Sequence, residues 1–359
     1  MWTTYLIYNL VLFIGGGLVF LSQYAQVTGI KKLLYLISFL FVWLVSALRY
    51  NVGTDYPNYI YIFDNLYLYE FGVLEPIYYL LNQVIVLLGI NKQWLFITTS
   101  FISTFFIYKT ANYYNQKGWF ILFYLLFLYL ASLSIVRQLT AVGIIVYGVH
   151  HLLNYNNKKF ILSILFAAGF HYSAFFLAPM LLLTKIRLSW IGGIVLFIGV
   201  IILIRQVNII QGIFSNSFFE NSKYAVYAIN EYNRESELGS GLGVLIQILP
   251  AIILVLFSFS IQKLPNYSLV ILTSIAFVAS MLLTLDVYIF NRLMVALSIY
   301  YMFVAVYIAE SNMSHKYILL VIISLGGGAM FEKTISIALF ELNSGLGISP
   351  YQSVLQFIW

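Results

Sequence analysis

Residues 33–48, LLYLISFLFVWLVSAL, run directly into Arg49-Tyr50-Asn51-Val52-Gly53-Thr54-Asp55-Tyr56-Pro57-Asn58-Tyr59. The first part carries no charge and follows Lys31-Lys32, so it reads as a membrane span. The second part crowds an arginine, an aspartate, a glycine and three tyrosines into a stretch that opens a long polar loop. Most of the chain tolerates none of these together.

Apolar runs like the first recur at about 3–21, 94–108, 118–134, 138–154, 189–204, 242–260, 267–285, 293–309 and 317–330. Two further segments are less regular. One, about 73–90, carries Asn82-Gln83 in its middle; the other, about 160–184, carries Gly169, His171 and Pro179, which interrupt a helix. Hydrophobic residues form 62% of the chain and charged residues 8%, where soluble domains have roughly 25% charged. The expectation is an all-α polytopic membrane protein, one domain over 1–359, with about 10–12 transmembrane or re-entrant helices. The run 3–21 has no basic region before it and no cleavage site after it, so it is expected to stay as the first span.

Several chemistries are excluded. There is no cysteine, hence no disulfide or thiolate nucleophile. No His, Asp or Glu pattern has metal-ligand spacing, and no Walker-type glycine loop is present, so no metal or cofactor is expected. The net charge of +6 comes from lysines near span ends and does not signal nucleic acid.

Orientation follows from those lysines. Placing Lys31-Lys32, Lys109, Lys117, Lys158-Lys159, Lys185, Lys263 and Lys316 inside leaves the loops 49–75 and 205–241 outside. This arrangement requires 73–90 not to cross fully and 160–184 to enter and return. At about 1.5 Å per residue, 160–184 is too short for two crossings, and half-helices meeting at Gly169–Ser173 place His171 in the membrane layer. Arg49, Arg137, Arg205, Arg234 and Arg292 then share the outer face with eleven of the twelve acids. A planar guanidinium suits a phosphate or diphosphate, so this is the expected working face.

The candidate residues each have a plainer role as well. Arg49 fits an interfacial anchor or a phosphate ligand, and Asp55, in the turn 53–57, fits a structural partner for it or a base. Arg137 and Gln138 begin a span after a short polar connection, and His171 sits at the expected break. Arg292 closes the set, with Asp286 as an alternative partner. Tyr56 and Gln138, with Tyr224 and Arg234 of the long loop, are candidates for holding a glycan. Gly15-Gly16-Gly17 and Gly326-Gly327-Gly328 read as close helix contacts.

At these residues the chain resembles the EpsG family of bacterial exopolysaccharide and O-antigen polymerases, the Wzy-like membrane proteins. The likeness lies in Arg49…Val52-Gly53-Thr54-Asp55-Tyr56…Tyr59, Arg137-Gln138…Ala141, Ala168…Phe170-His171…Ser173-Ala174, Lys223-Tyr224, Ser240-Gly241-Leu242-Gly243, Asn291-Arg292 and Ser349-Pro350-Tyr351. It implies a GT-C-like fold in the bacterial inner membrane. It also implies transfer of a glycan from undecaprenyl diphosphate to another lipid-linked repeat unit on the outer face. Membrane lipid, a chain-length regulator and a flippase are the implied partners. In that chemistry Arg49, Arg137 and Arg292 would hold the diphosphate, and Asp55 or His171 would serve as base. Three rivals remain: an O-antigen ligase, differing only in acceptor; a transporter such as a flippase, for which repeats of topology are expected and none is found; and a structural membrane scaffold, against which the clustered outer arginines argue.

Overall fold

The computed structural model describes residues 2–71, 73–206, 241–286, 288–337 and 345–357. Tyr224 and Arg234, with most of the loop 205–241, lie outside the described residues. The protein is an all-α polytopic membrane protein, 78% helical and without strands among the described residues. The helices, in order, are α1 (Trp2–Tyr24), α2 (Thr28–Ala47), α3 (Tyr56–Asp64), α4 (Pro76–Leu87), α5 (Gln93–Ala111), α6 (Lys117–Ser134), α7 (Val136–Leu153) and α8 (Asn157–Ala168). They continue with α9 (Tyr172–Leu183), α10 (Trp190–Gln206), α11 (Leu242–Leu256), α12 (Tyr267–Asp286), α13 (Tyr288–Leu297), α14 (Tyr300–Glu310) and α15 (Lys316–Ile337).

Six of these, α1, α2, α6, α7, α12 and α15, are long and apolar enough to cross a bilayer. The number is seven if α13 and α14, bent by 41°, form one span. Helix α5 is 19 residues long but carries six serines and threonines, at 98, 99, 100, 103, 104 and 110. The doubtful segments come out short. Helix α4 has 12 residues, about 18 Å of helix. The segment 160–184 is broken after Ala168, with His171 extended between α8 and α9.

The core forms around α7, which is buried along most of its length and packs along α5 and α8. Its approach to α5 depends on Gly143, where a Cβ would sit 2.8 Å from the Cα of Ser103. Helices α1, α2 and α15 leave most of their surface uncovered, with Phe13, Leu36, Leu40 and Leu325 exposed, as lipid-facing helices do. Of the glycine runs, Gly15 lies against Val42 and Gly327 against Phe127, whereas Gly17 and Gly328 meet nothing nearby.

Two ends of the bundle follow from the chain path. Gln93, opening α5, donates from Nε2 to the carbonyl of Ala47 at 2.6 Å, so α2 and α5 run antiparallel. That end collects the turn 49–55, the α6–α7 join and the α8–α9 break. The C-terminal tail closes it. Tyr50 N–H donates to Gln352 O and Val354 N–H to Leu48 O, each at 2.9 Å. Tyr8 reaches the carbonyl of Ile348 at 2.7 Å, which fastens the tail to α1.

Candidate active site

The polar turn is built by glycine. Gly53 has φ +108°, and a Cβ there would lie 2.4 Å from the carbonyl oxygen of Leu133 and 2.8 Å from the Cα of Ser134. No side chain fits, and the backbone conformation itself disfavours one. Its N–H donates to Gly347 O at 2.8 Å. The next residue, Thr54, hydrogen-bonds through Oγ1 to Ser134 Oγ at 2.7 Å. The turn is therefore locked against the end of α6, one residue before the chain leaves helical geometry at Ile135.

The remaining pieces are fastened by backbone groups that have no partner within their own helices. Ile77 and Tyr78 open α4, and both N–H groups donate to the carbonyl of Gly169 at 2.9 Å. These are two of the donors that a helix start leaves unsatisfied. Gln138, in the first turn of α7, donates from Nε2 to Arg292 O at 2.7 Å and to Ser173 Oγ at 3.2 Å. One buried amide thus ties α7 to the α8–α9 break and to the start of α13.

These contacts enclose a cavity of about 470 Å³. Asp55, Arg137, Gln138, His171 and Arg292 all line it, brought from the turn before α3, from α7, from the break and from α13. Asp55 is its one carboxylate among the described residues.

Each group is set by its neighbours. Asp55 precedes α3 but makes no capping bond with its side chain, and Tyr59 hydroxyl approaches its Oδ2 at 3.4 Å. Burial raises the Asp55 pKa above the usual carboxylate value, with the Tyr59 hydroxyl and the Arg137 charge pulling it partly back. Arg137 pairs with Glu75 and lies over the Tyr78 and Tyr59 rings, at 5.3 and 5.8 Å from their centroids. His171 Nδ1 accepts the Ser173 N–H at 3.2 Å and meets Ser173 Oγ at 2.7 Å. Nδ1 is therefore the acceptor nitrogen, and the proton of the neutral ring sits on Nε2. The Nε2–H is left to donate to a group in the cavity that His171 lines.

Arg49 and Tyr56 are placed elsewhere. Arg49 is 1% exposed, donates from Nη1 to the carbonyl of Ser46, and lies 4.9 Å from the Phe96 ring centroid. Tyr56 stacks on the same ring at 4.4 Å. Around Arg49 are the hydroxyls of Ser46, Thr99, Ser103, Thr104, Ser132 and Thr140, in a separate gap of about 10 Å³. The C-terminal end of α2, whose last carbonyls carry partial negative charge, supplies part of its compensation. Neither Arg49 nor Tyr56 lines the cavity.

Glu75 is the residue that sequence reasoning passed over as one more loop acid. Its signal was position: an acid immediately before Pro76 and an apolar run, where the membrane layer begins. Gln247 and Tyr301, which also line the cavity, gave no such signal.

The fold and the site define a multi-pass membrane protein with a charged cavity at one end of its helical bundle. A family model covers residues 32–353, and the chain belongs to the EpsG family, a family of Wzy-like polysaccharide polymerases. No curated protein and no solved structure matches it.

Proposed function

We propose that the protein is a glycosyltransferase that polymerises oligosaccharide repeat units carried on undecaprenyl diphosphate, with the cavity as its active site on the outer face of the bacterial inner membrane. The observation that carries this reading is the convergence of Asp55, Arg137, His171 and Arg292 on one cavity. Family membership supplies the polysaccharide chemistry.

In this reading the donor's diphosphate lies against Arg137 and Arg292, whose guanidinium groups stabilise the charge that develops as it leaves. Asp55 takes the proton from the acceptor hydroxyl, and its raised pKa makes it a stronger base than an ordinary carboxylate. The acceptor oxygen bonds to the anomeric carbon while the bond from that carbon to the diphosphate oxygen breaks, and the electron pair leaves with the diphosphate. His171 donates from Nε2 to the sugar or to the leaving oxygen. Gln138 holds the backbone of Arg292 and the Ser173 hydroxyl in place. A GT-C-like ancestry for the bundle belongs to the same proposal.

The glycan ladder of a deletion strain tests the assignment. Loss of a polymerase leaves a single repeat unit on its final carrier. A strain with no repeat unit there would point to a flippase, and one with polymer retained on undecaprenyl diphosphate would point to a ligase; either pattern defeats the proposal.

A further inference from the structure

A second cavity, of about 660 Å³, opens between α2 and α5 at the opposite end of the bundle. Lys31 lies 16 residues before Ala47 on α2, and Lys117 lies 17 before Ser134 on α6, so roughly 25 Å of helix separates this cavity from the active-site end. Four lysines line it: Lys31 and Lys32 from α2, Lys109 from α5 and Lys117 from α6. No carboxylate lines it, and none of the four is in an ion pair among the described residues.

Two of these ammonium groups are positioned by aromatic rings. Lys117 Nζ lies 4.5 Å from the Tyr35 ring centroid, and Lys109 Nζ lies 4.8 Å from that of Tyr147. Such contacts orient a cation but leave its charge uncompensated. Thr28, Asn112 and three tyrosines share the wall with the lysines, and Leu36, Phe39 and Phe105 continue it as an apolar strip along α2 and α5, with Leu36 and Phe105 exposed. A soluble anion would use the lysines and leave the apolar wall bare. An anion attached to hydrocarbon chains uses both.

We propose that this cavity binds the headgroup of an anionic phospholipid, with its phosphate among Lys31, Lys32, Lys109 and Lys117 and its acyl chains along Leu36, Phe39 and Phe105. Basic recesses between membrane helices suit such headgroups. The site is independent of the catalytic assignment.

The test uses the purified full-length protein in neutral detergent, with thermal unfolding followed as phosphatidylglycerol or phosphatidylcholine is added to the micelles. Phosphatidylglycerol is expected to raise the midpoint and phosphatidylcholine to leave it unchanged. Lys31→Gln/Lys109→Gln is expected to need about thirtyfold more phosphatidylglycerol for half the shift. Lys158→Gln/Lys159→Gln, an exposed pair outside the cavity, should behave as wild type. Should the first variant not fold, Lys32→Gln alone at an exposed position should show a shift of about fivefold. Three results would overturn the proposal: equal effects of the two lipids, an equal loss in the Lys158/Lys159 variant, or a full shift from inorganic phosphate without lipid, which would mark a soluble-anion site.

Discussion

Arg137 Nη1 and Glu75 Oε2 lie 2.7 Å apart beside the cavity that Arg137 lines, with side chains 22% and 9% exposed. The pair joins the first turn of α7 to the residue preceding α4. It neutralises an arginine that would otherwise be poorly solvated. Removing one partner of a buried pair leaves the other charge uncompensated, which costs about 3 kcal/mol. Glu75→Ala should therefore lower stability by about that amount in denaturant titrations, and Arg137→Ala/Glu75→Ala should be less than additive. Additive effects would mean the two charges do not support one another.

Arg49 and Arg137 should separate in their consequences. Arg49 is enclosed by Phe96, the Ser46 carbonyl and hydroxyl groups, away from the cavity. Arg49→Ala should reduce stability by about 2 kcal/mol, while activity per folded molecule falls by less than about tenfold. Arg137→Ala should cost on the order of a hundredfold or more in turnover, the typical loss for a group stabilising transition-state charge. Turnover normalised to folded protein checks both.

Asp55 carries a pH signature of definite sign. Its folded pKa lies above its unfolded value, so the folded state binds the proton more tightly. Its contribution to stability is thus present at low pH and lost as pH rises from roughly 4 through the raised folded value. With Asp55 as the proposed base, activity should run the other way and fall as pH drops through the same window, because the base must be ionised. Asp55→Asn should be more stable than wild type at pH 7 and lose about a hundredfold or more of its activity. Thermal unfolding against pH, measured beside turnover, shows both trends.

Gly53→Ala tests the lock between the turn and α6. Forcing a side chain into φ +108° costs about 1–3 kcal/mol in backbone strain. The new Cβ also meets Leu133 O. The turn must move, and Asp55 moves with it. Helical content by circular dichroism should be unchanged, while activity falls by on the order of a hundredfold, as misplacement of catalytic groups does. Wild-type turnover in this variant would show that the turn does not position the base.

Much of this was legible in the sequence because the membrane makes it so. Apolar runs mark the spans, and Gly169, His171 and Pro179 mark a segment that is in fact broken at Gly169–His171. Asp55, Arg137, Gln138, His171 and Arg292 were grouped by type and by expected face, and they share a cavity. Arg49 shows where such reasoning stops. It is six residues from Asp55, yet it lines a separate gap, because Gln93 holds the backbone at Ala47 and Arg49 while Gly53 turns the chain toward Ser134. Chain proximity carries no information about which side of that turn a guanidinium enters. Glu75 was missed for a related reason. A buried ion pair and a solvated loop acid look alike until the partner helix is placed.

Everything proposed for this cavity turns on Asp55 activating the acceptor hydroxyl. The most direct test of that role is glycan elongation by the purified protein in vesicles, supplied with undecaprenyl-diphosphate-linked repeat units, for wild type and Asp55→Asn at equal folded amounts. Wild type is expected to lengthen the glycan and release undecaprenyl diphosphate, whereas Asp55→Asn should still bind the lipid-linked unit but elongate at least about a hundredfold more slowly. Elongation by Asp55→Asn at the wild-type rate would contradict that role.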